Sequence, residues 1–210
     1  MAIEKDFFRQ VMGQFATGVT VATTCNHGRA AGLTVSAFAS VSLEPPLVLI
    51  CVDLRSNVLA HFRKSGIFAV NILTNRQESL SRCFATMSEE RYENFCHAGY
   101  HVAATGAPIL DGVLAFVDAR IIAEYPGGDH AIFLGKVEAM GTDGEVTFAS
   151  EAGERYSTLT EYLPKDSDEA DLLDAKRARM PLAYYRGQYR HLSKDYQRPS
   201  LAAYYDEDFE

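Results

Sequence analysis

Small and hydroxylated residues are concentrated in one short stretch of the chain, residues 32–53, GLTVSAFASVSLEPPLVLICVD. Small side chains let a ligand approach the backbone closely, and hydroxyls and free amides can hydrogen-bond its polar edge. After the Pro-Pro turn, the apolar run 47–52 is short enough to be a buried strand. The stretch therefore fits either a ligand-binding edge or a strand-turn-strand core whose hydroxyls are satisfied internally. Its small and polar candidates are Thr34, Ser36, Ala37 and Ser40.

Four further residues could bind an anion. Ser56 and Asn57 precede an apolar-periodic segment, and the start of a helix attracts negative charge. Ser56 could equally act only as a helix cap. Arg82 and Arg91 could each neutralise an anion, or could each be an ordinary solvated helix residue.

Two later segments carry residues that could contact a ligand: a glycine-rich turn with a histidine, and an aromatic segment with an arginine. His130 comes directly after a Gly-Gly-Asp turn, where a histidine is either simply exposed or placed to meet a ligand. The segment 184–189, YYRGQY, offers aromatic faces for stacking and a guanidinium for phosphate, or a strand that closes a sheet edge. Cys96, His97 and His101 do not predict a metal site, because a glycine interrupts any shared helix face and no further ligand is evident.

Several common nucleotide and catalytic motifs are absent from the sequence. The chain has no GxGxxG after a strand, no Walker loop, no HExxH and no CxxC. A Rossmann-type nicotinamide site is therefore not supported, and any nucleotide must bind through a different arrangement.

The elements that must position these residues are mostly strands. β-Branched and apolar runs are bounded by turn residues, and they follow one another without long crossover helices. A β-barrel with flanking helices therefore fits better than a doubly wound parallel sheet. Strands are predicted over 19–24, 29–35, 47–52, 67–73, 113–125, 131–140 and 146–149. Helices are predicted over 4–14, 57–64, 76–84, 88–95 and 169–179.

Composition restricts the partners and the compartment. The 210 residues, 47% of them hydrophobic, suit one compact domain with a substantial core. A net charge of -8 disfavours nucleic acid and anionic membrane surfaces, and no apolar run reaches the roughly 18 residues of a membrane span. The N-terminus does not resemble a signal peptide. The four cysteines, without paired spacing, therefore predict reduced thiols and a cytoplasmic location: Cys25, Cys51, Cys83 and Cys96.

Four segments in this order resemble the flavin reductase family with the split-barrel FMN-binding fold. They are GLTVSAFASVSLEPPLVLICVD, RSNVLAHFRKSGIFAVNIL, GGDHAIFLGKV and PLAYYRGQY, and the similarity covers about residues 7–137 and 181–189. Members of this family are the small reductase components of two-component flavin monooxygenases. The resemblance implies a mainly β split barrel with flanking helices, and a homodimer with each flavin near the subunit interface.

The resemblance also assigns two sets of site residues. The first set would bind the flavin ring, ribityl chain and phosphate, and the second would bind the nicotinamide dinucleotide, with His130 positioning the nicotinamide. Hydride transfer to a flavin needs no protein nucleophile, so no covalent catalyst is expected. The flavin set is Thr34, Val35, Ser36, Ala37, Ser40, Cys51, Val52, Asp53, Ser56, Asn57, Arg82, Phe84 and Arg91. The nicotinamide set is His130, Tyr184, Tyr185, Arg186 and Gly187.

The implied activity is NAD(P)H:flavin oxidoreductase, with reduced FMN or FAD leaving by diffusion for an oxygenase partner. Either NADH or NADPH could be the donor. Two alternatives stay open: a flavoprotein that keeps its FMN and does its own chemistry, and a non-enzymatic flavin-binding protein.

The same comparison divides the chain into four parts. The resemblance implies that residues 1–150 form the flavin-binding domain and that 181–192 are a C-terminal motif packing back on it. Between them lies a polar insertion, 151–180, which the short family members lack and which could serve as a lid or partner-binding segment. Residues 193–210 are an acidic tail. Because of the insertion, Tyr185 and Arg186 could instead close a barrel edge.

Overall fold

The computed structural model describes residues 3–142, 145–148 and 179–192. Nearly all of the insertion 151–180, the helix predicted over 169–179 and the acidic tail 193–210 lie outside the described residues. No helix in the described part of the chain is long and apolar enough to cross a membrane.

The described residues form thirteen strands, four α-helices and one 3-10 turn, Phe95–His97. The helices are α1 (Lys5–Met12), α2 (Leu59–Ser65), α3 (Glu78–Ala85) and α4 (Glu89–Glu93). In chain order the strands are β1 (Thr17–Gly18), β2 (Thr20–Asn26), β3 (Arg29–Val35), β4 (Phe38–Leu43), β5 (Pro46–Asp53), β6 (Ile67–Ile72), β7 (Tyr100–Val102), β8 (Pro108–Leu110), β9 (Ala115–Gly127), β10 (His130–Thr142), β11 (Glu145–Phe148), β12 (Leu182–Tyr185) and β13 (Gln188–His191).

Eight of the strands form one antiparallel sheet, in the order β3-β2-β6-β9-β10-β5-β4, with β11 added beside β10. The sheet curls, so that Leu33 of β3 and Ile50 of β5 share one core with Phe62 of α2. No ladder joins β3 to β5 in the described residues, and the barrel is therefore split rather than closed. The predicted fold class, mainly β with flanking helices, is confirmed.

Strand β5 shows how the fold positions a site. Val48, Ile50 and Val52 are buried, whereas the residues between them are partly exposed. Because successive side chains of a strand point to opposite faces, Cys51 and Asp53 are turned away from the core. The apolar run predicted as a buried strand therefore carries one core face and one face available to a ligand.

The C-terminal hairpin of β12 and β13 packs against the rest of the fold. β12 pairs with β1, and Leu182 is fully buried in a second core beside Val19, Leu73 and Phe84. The strands are joined by Arg186 and Gly187, with φ of 51° and 75°. Two consecutive positive-φ residues are typical of the tight turn that matches strand twist.

Cys83 of α3 and Cys96 of the 3-10 turn form a disulfide with an S–S distance of 2.05 Å. The prediction of four reduced thiols is therefore wrong for this pair, while Cys25 and Cys51 are free. Spacing along the chain could not reveal the pairing, because α4 lies between the two cysteines and the backbone turns back through Phe95–His97 to bring them together.

Candidate functional site

A cleft of about 760 Å³ opens where β5 ends and β10 begins, with the N-terminal helix α1 on its opposite side. We call it the His130 cleft. Asp53 and His130 are cross-strand partners at its floor. It is lined by Ile3, Lys5, Phe8, Arg9, Asp53, Arg55, Asp129 and His130.

His130 is held in place by its neighbour in the turn. The Asp129 carboxylate lies 2.6 Å from Nδ1 of His130, and the Asp129 carbonyl accepts a 3.0 Å bond from the amide of Leu54. The imidazole also borders a second opening of about 330 Å³ beside Tyr125 and Pro126. The ring therefore stands between two openings with Nδ1 engaged.

The acidic residues of the cleft stay ionised at neutral pH. Hydrogen bonds from the Arg55 side chain and amide hold the pKa of Asp53 far below its usual range. The hydrogen bond with His130 likewise lowers the pKa of Asp129. With Lys5 and Arg9 on the opposite wall, the cleft carries charges of both signs.

The small residues identified in the sequence lie next to the end of β5. The carbonyl of Ala37 accepts a 3.1 Å bond from the amide of Cys51, so the edge of β5 meets the segment before β4. Ser36, Ala37 and Ser40 are exposed. Burial raises the pKa of the Cys51 thiol, which keeps it neutral. The structure thus brings the Ser36–Ala37 peptide, the end of β5 and His130 to one edge of the barrel.

Four predicted flavin contacts are engaged inside the protein. The side chains of Val35 and Val52 belong to the barrel core, and the Thr34 hydroxyl donates a 2.7 Å bond to the carbonyl of Ser81. Phe84 is fully buried in the second core, with its ring 5.1 Å from that of Phe95. The expected packing of Phe84 on a flavin is therefore wrong, because α3 turns this ring into the protein.

A small pocket of about 30 Å³ lies between β3, the segment leading into α2, and α4. We call it the Arg91 pocket. Arg91 is 5% exposed, and three buried polar atoms around the pocket have no partner among the described residues. These atoms are Arg91 Nη2, His61 Nδ1 and Tyr92 Oη. The pocket is lined by Arg29, Ala30, Ala31, Gly32, Asn57, Val58, His61, Arg91 and Tyr92.

The two candidate arginines differ sharply in their surroundings. Arg82 is exposed, pairs with Glu78 at 2.7 Å, and lies over the ring of Tyr189 at 4.6 Å. Within the described residues, the Arg91 side chain donates to the carbonyls of Gly32 and Thr86 and pairs with no carboxylate. The charge of Arg82 is already neutralised by Glu78. Arg91 is therefore the arginine whose charge a bound anion would neutralise.

Ser56 and Asn57 lie in the turn before α2, which begins at Leu59 rather than at the predicted residue 57. The helix cap position is Val58, and no side chain caps it. The Ser56 hydroxyl accepts a long 3.4 Å bond from the Val58 amide, and Asn57 lines the Arg91 pocket. The pair is thus next to the pocket, although Ser56 is not the N-cap that the sequence predicted.

The C-terminal motif and His130 contact opposite ends of the N-terminal segment. The amide of Arg186 donates to the carbonyl of Gly13, and its Nε donates to Gln14 Oε1, both at 2.9 Å. Tyr185 also reaches Gln14, at 3.4 Å. The cleft with His130 is instead lined by residues 3–9 of this segment. Tyr184 packs edge-on against Tyr189, and Gly187 completes the turn.

Comparison with known proteins assigns the fold to a family. The model of the flavin reductase like domain matches residues 12–193 of the chain. The chain belongs to this family. The predicted resemblance is thereby confirmed, and the described elements of this flavin reductase-like protein carry the site residues discussed above.

Two curated relatives of this flavin reductase-like protein bear functional names. The reductase subunit HsaB of a flavin-dependent monooxygenase from Rhodococcus jostii (strain RHA1) is 34% identical, with 92% of this chain and 81% of the relative covered. A protein named flavin reductase (NADH) from Kitasatospora aureofaciens is 40% identical over 69% of this chain and 75% of its own length.

Solved structures of similar fold carry related titles. A homolog of nitrilotriacetate monooxygenase component B from Mycobacterium thermoresistibile matches with a TM-score of 0.70 at 30% identity, covering 93% of this chain and 90% of that one. The NADH:FAD oxidoreductase SgcE6 of Streptomyces globisporus C-1027, in complex with NAD and FAD fragments, matches with a TM-score of 0.68 at 29% identity, covering 92% and 96%.

Sequence reasoning missed His61, Arg29 and Tyr92, three residues that line the Arg91 pocket. His61 follows the predicted site residue Asn57 by four positions, a spacing that within the helix predicted over 57–64 would have placed the two on one face. Arg29 and Tyr92 carry no comparable local signal, because they reach the Arg91 pocket only through the curl of the sheet and the placement of α4.

Proposed function

We propose that this protein is an NADH:flavin oxidoreductase that supplies reduced flavin to a separate oxygenase. The observation that carries the proposal is the presence of an open cleft at His130 and a small pocket with two cations, Arg29 and Arg91. The turn after β5 connects the two, because Asp53 and Arg55 line the cleft and Asn57 lines the pocket. A flavin has the matching shape, with a large ring at one end and a phosphate at the other.

The residues present fit a flavin by their own chemistry. Leaving a buried cation or polar atom without a partner is costly, and the Arg91 pocket holds three such atoms. A phosphate would satisfy them. At the other end, exposed Ser36 and Ala37 present backbone and hydroxyl groups to the polar edge of a ring.

A bound flavin supplies the two-electron chemistry of the reaction. The protein contributes position and environment, since transfer from a nicotinamide depends on stacking and distance rather than on a nucleophile. Asp129 holds the imidazole of His130 toward the cleft, where it can orient the nicotinamide. Arg186 and Tyr185 remain candidates for the far end of the dinucleotide.

NADH is the donor we propose, because NADH appears in the names of both a curated relative and a solved neighbour. The oxygenase partner is proposed on the same basis, since the relative from Rhodococcus jostii is named as a monooxygenase reductase subunit. The His130 cleft is open to solvent, which suits a reduced flavin that leaves by diffusion.

A homodimer is proposed from the exposed face of α1. None of its residues is buried in the chain, and five large apolar side chains on or beside it are half exposed or more. An isolated eight-residue helix is not stable in water, so a second copy of the chain is the natural cover for this face. The five are Phe7, Phe8, Val11, Met12 and Phe15.

The oligomer proposal is tested by light scattering after gel filtration. Wild type should have twice the chain mass, and Phe7→Ser with Val11→Ser should shift it toward the monomer. A monomeric wild type would contradict this part of the proposal.

The activity is tested by following NADH oxidation by the purified protein with riboflavin, FMN or FAD added. Flavin-dependent turnover is expected, and no turnover with any flavin would overturn the proposal. A yellow protein whose flavin survives gel filtration would favour the flavoprotein that keeps its FMN. Stoichiometric flavin binding without turnover would favour the non-enzymatic binding protein.

A further inference from the structure

Helix α4 lies inside the loop that the disulfide between Cys83 and Cys96 closes. The two cysteines are 13 positions apart, and the whole of α4 falls between them. Cys83 belongs to α3, and Cys96 belongs to the 3-10 turn that follows α4. The covalent bond therefore fixes the end of α4 against α3, and a change in this bond acts first on α4.

Among the described residues, α4 is otherwise held mainly by polar contacts. It has five residues, of which Arg91 is buried, and a helix this short is not stable by itself. Arg91 donates to the carbonyl of Gly32 at 2.9 Å. Arg29 binds the carbonyl of Tyr92 and the carboxylate of Glu93, but the two charged side chains are more than half exposed. Exposed ion pairs stabilise little, so the position of α4 depends on how its ends are anchored.

The turn after α4 has an uncommon backbone conformation. Phe95, Cys96 and His97 have φ angles of 49°, 54° and 52°. Residues other than glycine seldom adopt such angles, and they keep them only where surrounding contacts impose the conformation. The contacts here are the packing of the Phe95 ring against Phe84 and Tyr100, at 5.1 and 5.4 Å, and the disulfide at Cys96. Without the disulfide, the turn is free to relax toward ordinary φ angles.

The disulfide is open to exchange with a dithiol. Cys83 and Cys96 are both half-buried, so neither is enclosed in the core. A thiolate of the dithiol attacks one protein sulfur, the protein S–S bond breaks, and the second thiol then releases the mixed disulfide. Two electrons and two protons pass to the two cysteines, and the dithiol becomes a disulfide. A small-molecule disulfide reverses the exchange and is itself reduced to thiols.

We propose that Cys83 and Cys96 form a reversible redox switch that sets the affinity for flavin through the position of α4. In the disulfide form, α4 presents Arg91 and Tyr92 to the Arg91 pocket. In the dithiol form the turn relaxes, α4 moves away from β3, and the pocket loses this wall. Flavin binding therefore weakens on reduction and recovers on oxidation. The inference rests on the proposed function, because it takes the Arg91 pocket as part of the flavin site.

The first test measures flavin binding in the two redox states. Protein reduced with dithiothreitol is freed of it by gel filtration without oxygen, and one portion is reoxidised with glutathione disulfide. Both portions are titrated with FMN and with FAD, well below the unfolding temperature. The dissociation constant of the tighter-binding flavin should be about fivefold or more higher for the dithiol form, within the usual range of coupling between sites.

The outcomes separate the switch from the reductase activity. A disulfide that only stabilises the fold would leave the dissociation constant unchanged between the two forms, and that result would overturn the inference. NADH turnover is measured on the same samples. No turnover in either form would count against the proposed function, whereas redox-dependent flavin binding would still support the switch.

The second test locates the change by hydrogen exchange. The amides of Tyr92 and Asn94 bond to carbonyls of the same helical segment and should exchange several-fold faster in the dithiol form. Amides of β2 should keep their protection. Exchange in α4 that is the same in both forms, or faster exchange spread evenly over the fold, would refute the switch.

The third test uses cysteine variants. The double variant Cys83→Ser, Cys96→Ser should bind flavin as the dithiol form does, whether or not it has been treated with dithiothreitol. Cys25→Ser is the matched control, because Cys25 is a free thiol of β2 and its loss should leave the redox dependence intact. If the double variant does not fold, the redox titration of wild type decides the question. Loss of redox dependence in Cys25→Ser would contradict the assignment to Cys83 and Cys96.

Discussion

Asp53 and His130 lie directly opposite each other, where the last residue of β5 pairs with the first residue of β10. The pairing places an ionised carboxylate and an imidazole side by side at the floor of one cleft. It arises because the β9–β10 turn and the end of β5 reach the same edge of the sheet, although the two residues are far apart in sequence.

His130→Ala should raise the KM for NADH or slow reduction by about tenfold at most, the contribution of roughly one hydrogen bond. Flavin affinity should hardly change, because His130 is assigned to the nicotinamide. Stopped-flow reduction and flavin titration measure the two quantities separately. Asp129→Asn, which alters only the partner of Nδ1, should give a smaller effect. A loss of flavin binding with NADH KM intact would contradict the assignment.

Arg186→Ala should act mainly on the KM for NADH, since a contact remote from the reacting carbon is similar in ground and transition states. Gln14→Ala is the matched control, because it removes the partner of Arg186 and leaves the guanidinium in place. If both variants instead lower the melting temperature equally with KM unchanged, Arg186 serves only to close the hairpin on the segment after α1.

Ser56→Ala should weaken the binding of FMN more than the binding of riboflavin. The difference in binding free energy should be about 1 to 2 kcal/mol, the range of one hydrogen bond to a charged group. Its hydroxyl is free to turn toward a phosphate, because its bond to the Val58 amide is long at 3.4 Å. Fluorescence titration with both flavins provides the comparison. Equal losses for the two flavins would show that Ser56 only supports the turn.

Arg55→Gln should bring the pKa of Asp53 back toward its ordinary value near 3.9. In wild type the depressed pKa means that the pair stabilises the fold above the ordinary pKa, and this contribution is lost as pH falls below it. The stability difference between wild type and variant should therefore shrink in acid. Carboxyl NMR titration measures the pKa of Asp53. If that pKa is the same in Arg55→Gln as in wild type, the pairing of Asp53 with Arg55 is contradicted.

Reduction of the disulfide between Cys83 and Cys96 should lower the free energy of unfolding by roughly 3 kcal/mol, the value for a closed loop of about this length. Urea unfolding with and without a dithiol measures the change. The double variant Cys83→Ser, Cys96→Ser should have the same free energy of unfolding as reduced wild type. Adding the dithiol should not change this value. Cys25→Ser, which removes a free thiol, should leave the sensitivity to the dithiol intact.

Much of the local structure was determined by the sequence itself. The turn at His27 and Gly28 has two positive φ angles, 50° and 77°, as a short hairpin requires. Gly66 ends α2 in the left-handed conformation, which glycine adopts at little cost. The alternation of β5 and the order of strands and turns were enough to indicate a barrel, because these features depend on neighbours within a few residues.

The flavin-side details were decided only by the tertiary structure. Sequence could not choose between Arg82 and Arg91, since each lies in a predicted helix and could equally be a solvated surface residue. The curl of the sheet brings α4 against β3, which buries Arg91 beside Gly32 and leaves Arg82 outside with Glu78. The burial of Phe84 and the disulfide have the same origin. Contacts between elements distant in the chain depend on how the whole sheet curls, and no local pattern of residues encodes that geometry.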